Sequence, residues 1–328
     1  MRLILSFSVA FLASFLLGQV LIPWLRRLKA GQSIREDGPT WHMSKQGTPT
    51  MGGLIFIIGI AIAVFTIGWS DLTGGRRGGL FVLLFALVFG VIGFIDDFVK
   101  VKHHQNEGLT VAQKFLLQLA AAVAFTVLMR SEGYLSPNLY VPFLNVELTL
   151  PWGLYMVFAA FVIVGAVNAV NITDGIDGLA TGVTMPVALF YTAVAIYWGH
   201  QELGVFGAAL FGGLCAFLIY NFHPAKVFMG DTGSLFLGGV VCGMAFALDI
   251  PLALILVGII YIAETLSDIL QVAYFKLTHG KRIFRMAPLH HHFEMGGWSE
   301  VKLFGVFSGI TLIACLLAFW GIINRFPV

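Results

Sequence analysis

Residues 79–95, GLFVLLFALVFGVIGFI, form an apolar run without a charged residue, and the run ends directly before Asp96 and Asp97. A helix of about 20 residues crosses the roughly 30 Å hydrocarbon core of a bilayer, and this run comes close to that length. Runs of this kind occupy most of the chain. They predict an all-α, polytopic integral membrane protein with ten transmembrane helices, near residues 3–23, 51–69, 79–95, 113–130, 152–170, 179–198, 203–220, 233–249, 251–275 and 302–323.

The composition excludes a water-soluble protein. Of the 328 residues, 58% are hydrophobic and 11% are charged, whereas soluble domains carry about a quarter of their residues as Asp, Glu, Lys or Arg. The apolar runs leave little chain for a soluble domain, so residues 1–328 are predicted to form a single transmembrane domain. We expect a lipid bilayer around it and no nucleic acid partner.

Basic residues are distributed unevenly between alternate loops. The loops after the odd-numbered helices hold 14 of the 19 Lys and Arg residues, and the positive-inside rule makes these loops cytoplasmic and both termini periplasmic. Eight of the nine histidines lie on the same side. A structural protein or a passive channel does not require this asymmetry, whereas a cytoplasm-facing active site does. The five basic residues elsewhere are Arg2, Arg76, Arg77, Arg130 and Arg325.

The third predicted helix runs into GFIDDFVK (93–100), which places two adjacent carboxylates at the membrane boundary. Neighbouring residues on a helix point about 100° apart, so Asp96 and Asp97 can have different roles. Two acids at the C-terminal end of a helix oppose its dipole and require a compensating cation. Lys100 follows one turn later. A solvated helix end is the alternative interpretation.

The fifth predicted helix runs into NAVNITDGIDGLATG (168–182), where polar residues recur at intervals of three and four. This spacing predicts one polar stripe, and Gly175 and Gly178 would allow close approach to the backbone. Ionisable residues inside a membrane are costly and usually functional, so a binding stripe is favoured over a simple turn. Its members are Asn168, Asn171, Asp174, Asp177 and Thr181.

The seventh predicted helix ends in NFHPAKVFMGDTGSL (221–235), where a Gly-Asp-Thr-Gly-Ser turn opens the eighth helix. The unpaired backbone amides of a helix start suit a phosphate. The carboxylate of Asp231 is a hard oxygen ligand and suits Mg²⁺. The alternative role for Asp231 is an N-terminal cap of the helix.

The ninth predicted helix carries Glu264, Asp268 and Gln271 near its cytoplasmic end and leads into MAPLHHHFE (286–294). Three successive histidines can be metal ligands, a proton-transfer group or an anion site. Consecutive residues rarely ligate one zinc ion and no cysteine is near, so contact with phosphate or substrate is favoured. These histidines are His290, His291 and His292.

The first cytoplasmic loop contains HMSKQGTPTMGG (42–53), a polar, glycine-rich entrance to the second helix in which Lys45 and Thr50 are compatible with an anionic ligand. Together, the cytoplasmic motifs combine carboxylates with Lys, Arg and His side chains. With Mg²⁺, such a set positions a pyrophosphate and stabilises charge on a transferring phosphoryl group. A site at the lipid boundary implies a lipidic reactant, so the residues predict phospho-transfer to or from a membrane lipid.

The motifs DDFVK, NAVNITDGIDGLA, VFMGDTGSL and MAPLHHHFE, in this order on alternate cytoplasmic loops, resemble those of the phospho-N-acetylmuramoyl-pentapeptide transferases, within the superfamily of polyprenyl-phosphate hexosamine-1-phosphate transferases. PLHHHFE and GTPTMGG are similar to the muramoyl-pentapeptide branch in particular. The resemblance implies a Mg²⁺-dependent enzyme of the bacterial cytoplasmic (inner) membrane. Such an enzyme transfers phospho-MurNAc-pentapeptide from UDP-MurNAc-pentapeptide to undecaprenyl phosphate, giving lipid I and UMP in peptidoglycan synthesis.

The resemblance also implies roles for individual residues. Asp231 would bind Mg²⁺, Asp96 would deprotonate the lipid phosphate, and Asp97 would support the site. Phe228 would stack on uracil, in a nucleotide site that also contains Lys45, Asn171, Asp174 and Asp177. The phosphate and sugar region would be lined by Asn221, Lys114, His290, His291 and His292. The candidate catalytic residues are therefore Asp96, Asp97, Asp231 and His290, and Thr50, Asn168 and Gln271 complete the substrate-binding set.

Two other functions stay open. A related transferase with a non-muramoyl UDP-hexosamine donor would share the acidic motifs. An ion-coupled transporter would place carboxylates near the membrane midplane on broken helices, often with internal repeats, whereas here they cluster at helix ends on one side. The oligomeric state is also open, a homodimer included.

Overall fold

The computed structural model describes residues 1–28, 45, 47–103 and 108–325, and this part of the chain is mostly helical. Lys29, Arg35, His42 and His104, which contribute to the predicted orientation, lie outside the described residues. The elements are α1 (Arg2–Arg27), α2 (Gly53–Thr66), α3 (Trp69–Thr73), α4 (Gly78–His103), α5 (Val111–Ser131), β1 (Asn138–Val141), β2 (Val146–Thr149), α6 (Trp152–Thr173), α7 (Leu179–Tyr197), α8 (Gln201–Asn221), α9 (Gly230–Ala247), a 3-10 turn (Pro251–Ala253), α10 (Leu254–Val257), α11 (Ile259–Leu277), α12 (Leu289–Glu294) and α13 (Glu300–Ile322).

Every predicted apolar run contains a helix, but two runs are not continuous spans. In the described part of the chain, eight helices are long and apolar enough to cross a membrane: α1, α4 to α9, and α13. Helix α2 has only 14 residues. The run at 251–275 is divided by a 79° bend between Val257 and Ile259. The chain is therefore a polytopic helical protein with eight candidate spans, or nine with the bent pair, and the predicted number of ten is not confirmed.

Helix α9 lies at the centre of the bundle, and all of its residues from Thr232 to Ala247 are buried. Small residues let membrane helices approach closely enough for van der Waals packing. A methyl group added at Gly239 would lie 2.9 Å from Cα of Ala86 on α4, and one added at Gly238 would lie 2.6 Å from Cα of Val167 on α6. The glycines therefore hold α9 tightly between the two helices that carry the acidic and amide motifs.

The end of the bundle opposite these motifs contains an antiparallel hairpin, β1–β2, which the sequence analysis missed. Arg325 donates to Glu147 of β2 (3.1 Å) and to the carboxylate of Asp249 (2.9 Å). At the other terminus, Arg2 pairs with the buried Asp71 of α3. The positions of the two termini relative to the membrane stay a prediction.

The orientation can be tested with cysteines at exposed positions on opposite ends. Lys281 follows α11 at the motif end, and Leu144, which is 70% exposed, lies at the hairpin tip. In spheroplasts, we expect an impermeant maleimide to label Leu144→Cys at once, but Lys281→Cys only after permeabilisation. The wild type, whose three cysteines lie within helices, is the control. Labelling of Lys281→Cys in intact spheroplasts would reverse the predicted topology.

Candidate active site

Four helices bring charged and amide side chains together at one end of the bundle, with Asp231 of α9 at the centre. Its Oδ2 accepts hydrogen bonds from Nζ of Lys100 on α4 (2.9 Å) and Nζ of Lys114 on α5 (2.8 Å). Its Oδ1 accepts one from Nδ2 of Asn171 on α6 (2.8 Å). We call Asp96, Lys100, Lys114, Asn171 and Asp231 the acid–lysine cluster.

Asp96 is 1% exposed and belongs to this cluster. Its Oδ2 lies 2.6 Å from Nζ of Lys100 and 3.5 Å from Nζ of Lys114, and its Oδ1 accepts the backbone N–H of Leu109 (2.8 Å). Helix α4 continues to His103, so both acids lie inside the helix and not at its end. Both side chains are also buried. The solvated-helix-end interpretation is wrong. Lys100 is the compensating cation that the sequence required.

Asp97 points to the start of α9 instead of the lysines. Its Oδ1 accepts the backbone N–H of Asp231 (3.1 Å), and its Oδ2 accepts the N–H (2.9 Å) and hydroxyl (2.6 Å) of Thr232. Asp97 therefore caps α9 from a neighbouring helix. The prediction that these amides bind a phosphate is wrong, because Asp97 occupies them. The N-cap alternative for Asp231 is also wrong, because Asp231 lies in the first turn and the cap position is Met229.

A second charged group, which we call the Lys45 cluster, consists of Lys45, Asp177, His223 and Glu300. Nζ of Lys45 donates to Oδ1 of Asp177 (2.8 Å) and Oε2 of Glu300 (2.7 Å). Nδ1 of His223 lies 3.0 Å from Asp177 and 3.4 Å from Glu300. Among the described residues, Asp177, His223 and Glu300 have spacing compatible with a metal ion. Lys45, however, already supplies a counter-cation to both carboxylates.

The polar stripe predicted for residues 168–181 does not lie on one helix. Helix α6 ends at Thr173, and the positive φ of Gly178 (76°) marks a turn before α7. The turn separates the predicted residues: Asn171 joins the acid–lysine cluster, whereas Asp177 joins the Lys45 cluster. The single-stripe prediction is wrong because the interval-of-three pattern continues through a turn.

Two predicted substrate-binding amides have protein partners. Asn221 is 2% exposed; its Oδ1 accepts the hydroxyl of Thr181 (2.9 Å), and its Nδ2 donates to the carbonyl of Val227 (3.0 Å). Nδ2 of Asn168 donates to Oε1 of Gln118 on α5 (2.7 Å). These contacts hold helices and the segment before α9 in place, and contact of either amide with substrate stays a prediction.

Asp174 follows the last residue of α6, within the turn between the two clusters. Burial raises the pKa of its carboxyl well above the ordinary value, and the negative charges of Asp231, Asp97 and Asp177 act in the same direction. A carboxyl with a raised pKa keeps its proton to higher pH. Asp174 can therefore donate a hydrogen bond to a ligand over a wider pH range than an ordinary aspartate.

Residues 49–52, which directly precede α2, form backbone hydrogen bonds with the segment before α9. The backbone N–H of Gly52 donates to the carbonyl of Phe228 (2.9 Å), and the N–H of Phe228 donates to the carbonyl of Pro49 (2.9 Å). Phe228 is half-buried beside this segment. Thr50 is 7% exposed, and a Cβ added at Gly230 would lie 2.5 Å from its hydroxyl oxygen. Thr50 thus lies beside the start of α9, and contact of Thr50 or Phe228 with substrate stays a prediction.

The three histidines on α12 do not converge on one point. In the described residues they form no group with metal-ligand spacing, so the zinc alternative has no support. Gln271 also has protein partners, since its amide bonds the backbone of Ile283 and Phe284 at 3.0 Å. Each histidine has a different partner at Nδ1. Nδ1 of His290 lies 2.9 Å from Glu264, and Nδ1 of His291 lies 2.8 Å from Glu294. Nδ1 of His292 accepts the backbone N–H of Arg285 (3.1 Å).

Sequence comparisons place this chain in a known family. Residues 80–249 match Glycosyl transferase family 4, and residues 45–57 match phospho-N-acetylmuramoyl-pentapeptide-transferase signature 1. The chain is 49% identical over 323 residues to the phospho-N-acetylmuramoyl-pentapeptide-transferase of Clostridium acetobutylicum, covering 98% of this chain and 99% of that protein. The chain belongs to the phospho-N-acetylmuramoyl-pentapeptide-transferase family. The relative of the same name from Staphylococcus carnosus is 48% identical over 316 residues, 95% of this chain and 97% of that protein.

The candidate site contains four charged or titratable residues that were not among the predicted site residues: Lys100, His223, Glu264 and Glu300. The need for a cation beside two acids was a usable signal for Lys100. Glu300 had no comparable signal, because it lies 255 positions from its partner Lys45. Only the fold brings these two residues together.

The Asp174–Gly175 turn of the transferase lies directly over His290. A methyl group added at Gly175 would lie 2.6 Å from Cε1 of His290 and closer still to Nε2. We expect Gly175→Ala to displace the imidazole and reduce turnover at least about tenfold, without loss of the folded protein. Gly165→Ala on α6, where an added methyl meets nothing within 4 Å, is the matched control. Wild-type turnover by Gly175→Ala would show that the position of His290 is not critical.

Proposed function

We propose that this chain transfers phospho-MurNAc-pentapeptide from UDP-MurNAc-pentapeptide to undecaprenyl phosphate, with lipid I and UMP as products. The observation that carries the proposal is the 49% identity, over nearly the whole chain, to a relative named for this transfer. The acid–lysine cluster supports it. A pyrophosphate donor and a phosphate acceptor need cations and a metal-binding carboxylate at one place.

The acid–lysine cluster fits Mg²⁺. Nζ of Lys100 lies 2.6 Å from Oδ2 of Asp96 and 2.9 Å from Oδ2 of Asp231, so two carboxylate oxygens already share one cation position. Mg²⁺ is usually bound by one or two carboxylates together with substrate phosphates. Asp231 would hold the ion, with Asp96 beside it. When bound there, the ion would neutralise charge on the pyrophosphate.

Lys100 and Lys114 are suited to bind phosphate oxygens. Each ammonium has three donors, and both now point at the same oxygen of Asp231. When the donor binds, these ammonium groups can exchange the carboxylate oxygen for phosphate oxygens without leaving the site. Their flexible stems make this exchange a matter of side-chain rotation.

Asp96 is assigned the role of base towards the lipid phosphate, and Asp97 a supporting role. Both oxygens of Asp97 are engaged by α9, which leaves it unsuited to act as a covalent nucleophile. A phosphate monoester has a second pKa of about 6, so it is itself a competent nucleophile once deprotonated. We therefore favour direct attack of the lipid phosphate on the donor, for which the protein mainly supplies positioning and charge stabilisation.

The uridine is placed at the Lys45 cluster. Lys45 and Asp177 offer a donor and an acceptor there, and the half-exposed ring of Phe228 is available to stack on the base. Asp174 lies in the turn between Asn171 of the acid–lysine cluster and Asp177 of the Lys45 cluster, and Gly175 of the same turn lies against His290. This turn and the α12 histidines are assigned to the phosphate and sugar of the donor. The proposed location is the bacterial cytoplasmic (inner) membrane, with the site facing the cytoplasm. A homodimer stays a hypothesis.

The donor class can be tested with detergent-solubilised protein, polyprenyl phosphate and radiolabelled donors. We expect Mg²⁺-dependent transfer of label to lipid from UDP-MurNAc-pentapeptide and none from UDP-N-acetylglucosamine, because the match over residues 45–57 is to the muramoyl-pentapeptide signature. Transfer from the second donor alone would favour the related hexosamine-1-phosphate activity. Ion-driven solute uptake without any transfer would favour the transporter.

Asp231→Asn should fold normally and lose nearly all turnover, by about 100-fold or more, because an amide is a poor Mg²⁺ ligand and cannot pair with two ammonium groups. Lipid I formation should be measured over a series of Mg²⁺ concentrations. Asp249→Asn, at the opposite end of the bundle, is the matched control. Near-normal activity of Asp231→Asn at ordinary Mg²⁺ concentrations would remove the metal role.

A further inference from the structure

Glu264 of α11 has a carboxylate buried deep in the bundle, with 0% of the residue exposed, and it lies against His290, which is 1% exposed. Its Oε1 accepts the backbone N–H of His290 (3.1 Å), and its Oε2 lies 2.9 Å from Nδ1 of the same residue. Burying an unpaired carboxylate costs several kcal/mol. The pairing with His290 therefore explains how α11 accommodates this side chain.

The two contacts define the proton position on the imidazole. An ionised carboxylate only accepts hydrogen bonds, so Nδ1 of His290 must donate to it. In the neutral ring Nε2 then carries a lone pair. Because the backbone N–H occupies Oε1, the ring has only Oε2 to pair with, and the carboxylate orients both the ring and its tautomer.

The other ring nitrogen faces the candidate site. Nε2 of His290 is buried and has no hydrogen-bond partner among the described residues. It lies under Gly175, where an added methyl group would overlap it. A buried polar atom without a partner is costly and rare in native proteins. A ligand that enters beside the Asp174–Gly175 turn would supply the missing partner.

We propose that Glu264 is a positioning residue: it holds His290 as the tautomer protonated at Nδ1, so that Nε2 accepts a hydrogen bond from a hydroxyl group of the sugar-nucleotide donor. The inference rests on the transfer activity proposed above. Glu264 thereby determines which ring nitrogen of His290 accepts a hydrogen bond. Removing only the charge should therefore change donor use and leave acceptor use unchanged.

Glu264→Gln tests this directly, because glutamine has one oxygen and one NH₂ group. The backbone N–H of His290 requires the oxygen, so the NH₂ group must face Nδ1. Nδ1 then becomes an acceptor, and the proton of the neutral ring moves to Nε2. The substitution preserves size and shape while it inverts the hydrogen-bonding character of the nitrogen that faces the donor.

In steady-state assays of the full-length enzyme, we expect Glu264→Gln to lower kcat/KM for UDP-MurNAc-pentapeptide about 10- to 100-fold, which is comparable to the loss of other groups that orient functional histidines. The KM for polyprenyl phosphate should stay within about twofold of the wild-type value. Glu202→Gln, a buried glutamate beside His200 at the opposite end, is the matched control and should behave as wild type. An unchanged donor kcat/KM, or a rise in the KM for polyprenyl phosphate as large as the fall in donor kcat/KM, would overturn the proposal.

Nitrogen-15 NMR of histidine-labelled protein gives a readout that a purely structural role would not move. The His290 signals are assigned by their absence in His290→Gln. We expect Nδ1 to be protonated in the wild type and Nε2 alone to be protonated in Glu264→Gln. An unprotonated Nδ1 in the wild type, or the same tautomer in both proteins, would refute the assignment.

The wild-type spectrum decides the tautomer even if Glu264→Gln fails to fold. It also needs no substrate, so it separates the two proposals. Failure of the wild type to form lipid product would refute the proposed function, whereas the wrong tautomer would refute the role of Glu264 alone.

Discussion

The hydrogen bonds from the first turn of α9 to the carboxylate of Asp97 are the contact on which the rest of the site depends. Helix α9 is buried from Thr232 onward, so its first amides cannot turn to water and need an acceptor from the protein. Asp97 supplies that acceptor from α4. A side chain at Gly93 would overlap the carbonyl oxygen of Asp231, so glycine lets the two backbones meet there. This contact places Asp231 beside Asp96 and separates the roles of two adjacent acids.

The placement has an electrostatic cost that the lysines offset. Asp96 and Asp231 would repel each other in a poorly solvated site, where charges interact more strongly than in water. Lys100 and Lys114 balance them, so the four charged side chains carry no net charge. Mg²⁺ together with a doubly ionised pyrophosphate also adds no net charge. If the donor and Mg²⁺ bind here as proposed, the cluster would be neutral before and after they enter, and only the individual pairings would rearrange.

The apolar runs predicted where helices lie, because the thickness of a bilayer determines their length. They did not predict where helices end: α4 continues to His103, eight positions beyond the predicted boundary at 95, since polar residues extend a helix as readily as apolar ones. The bend before Ile259 and the short hairpin gave no hydropathy signal. The acids were found as polar residues within apolar sequence. Glu300 was not found in this way, because it meets the predicted residue Lys45 only through the fold.

The turn between α6 and α7 links the three parts of the site. Asn171 in the last turn of α6 bonds Asp231, Asp177 near the end of the α6–α7 turn bonds Lys45, and Gly175 between them covers His290. The seven residues 171–177 therefore connect the acid–lysine cluster, the Lys45 cluster and the buried imidazole. A shift of this turn changes all three contacts together, because its backbone is short and anchored at both ends. The regular spacing in NITDGID thus reflects one turn that must meet three neighbours, which is a stronger constraint than one polar face of a helix.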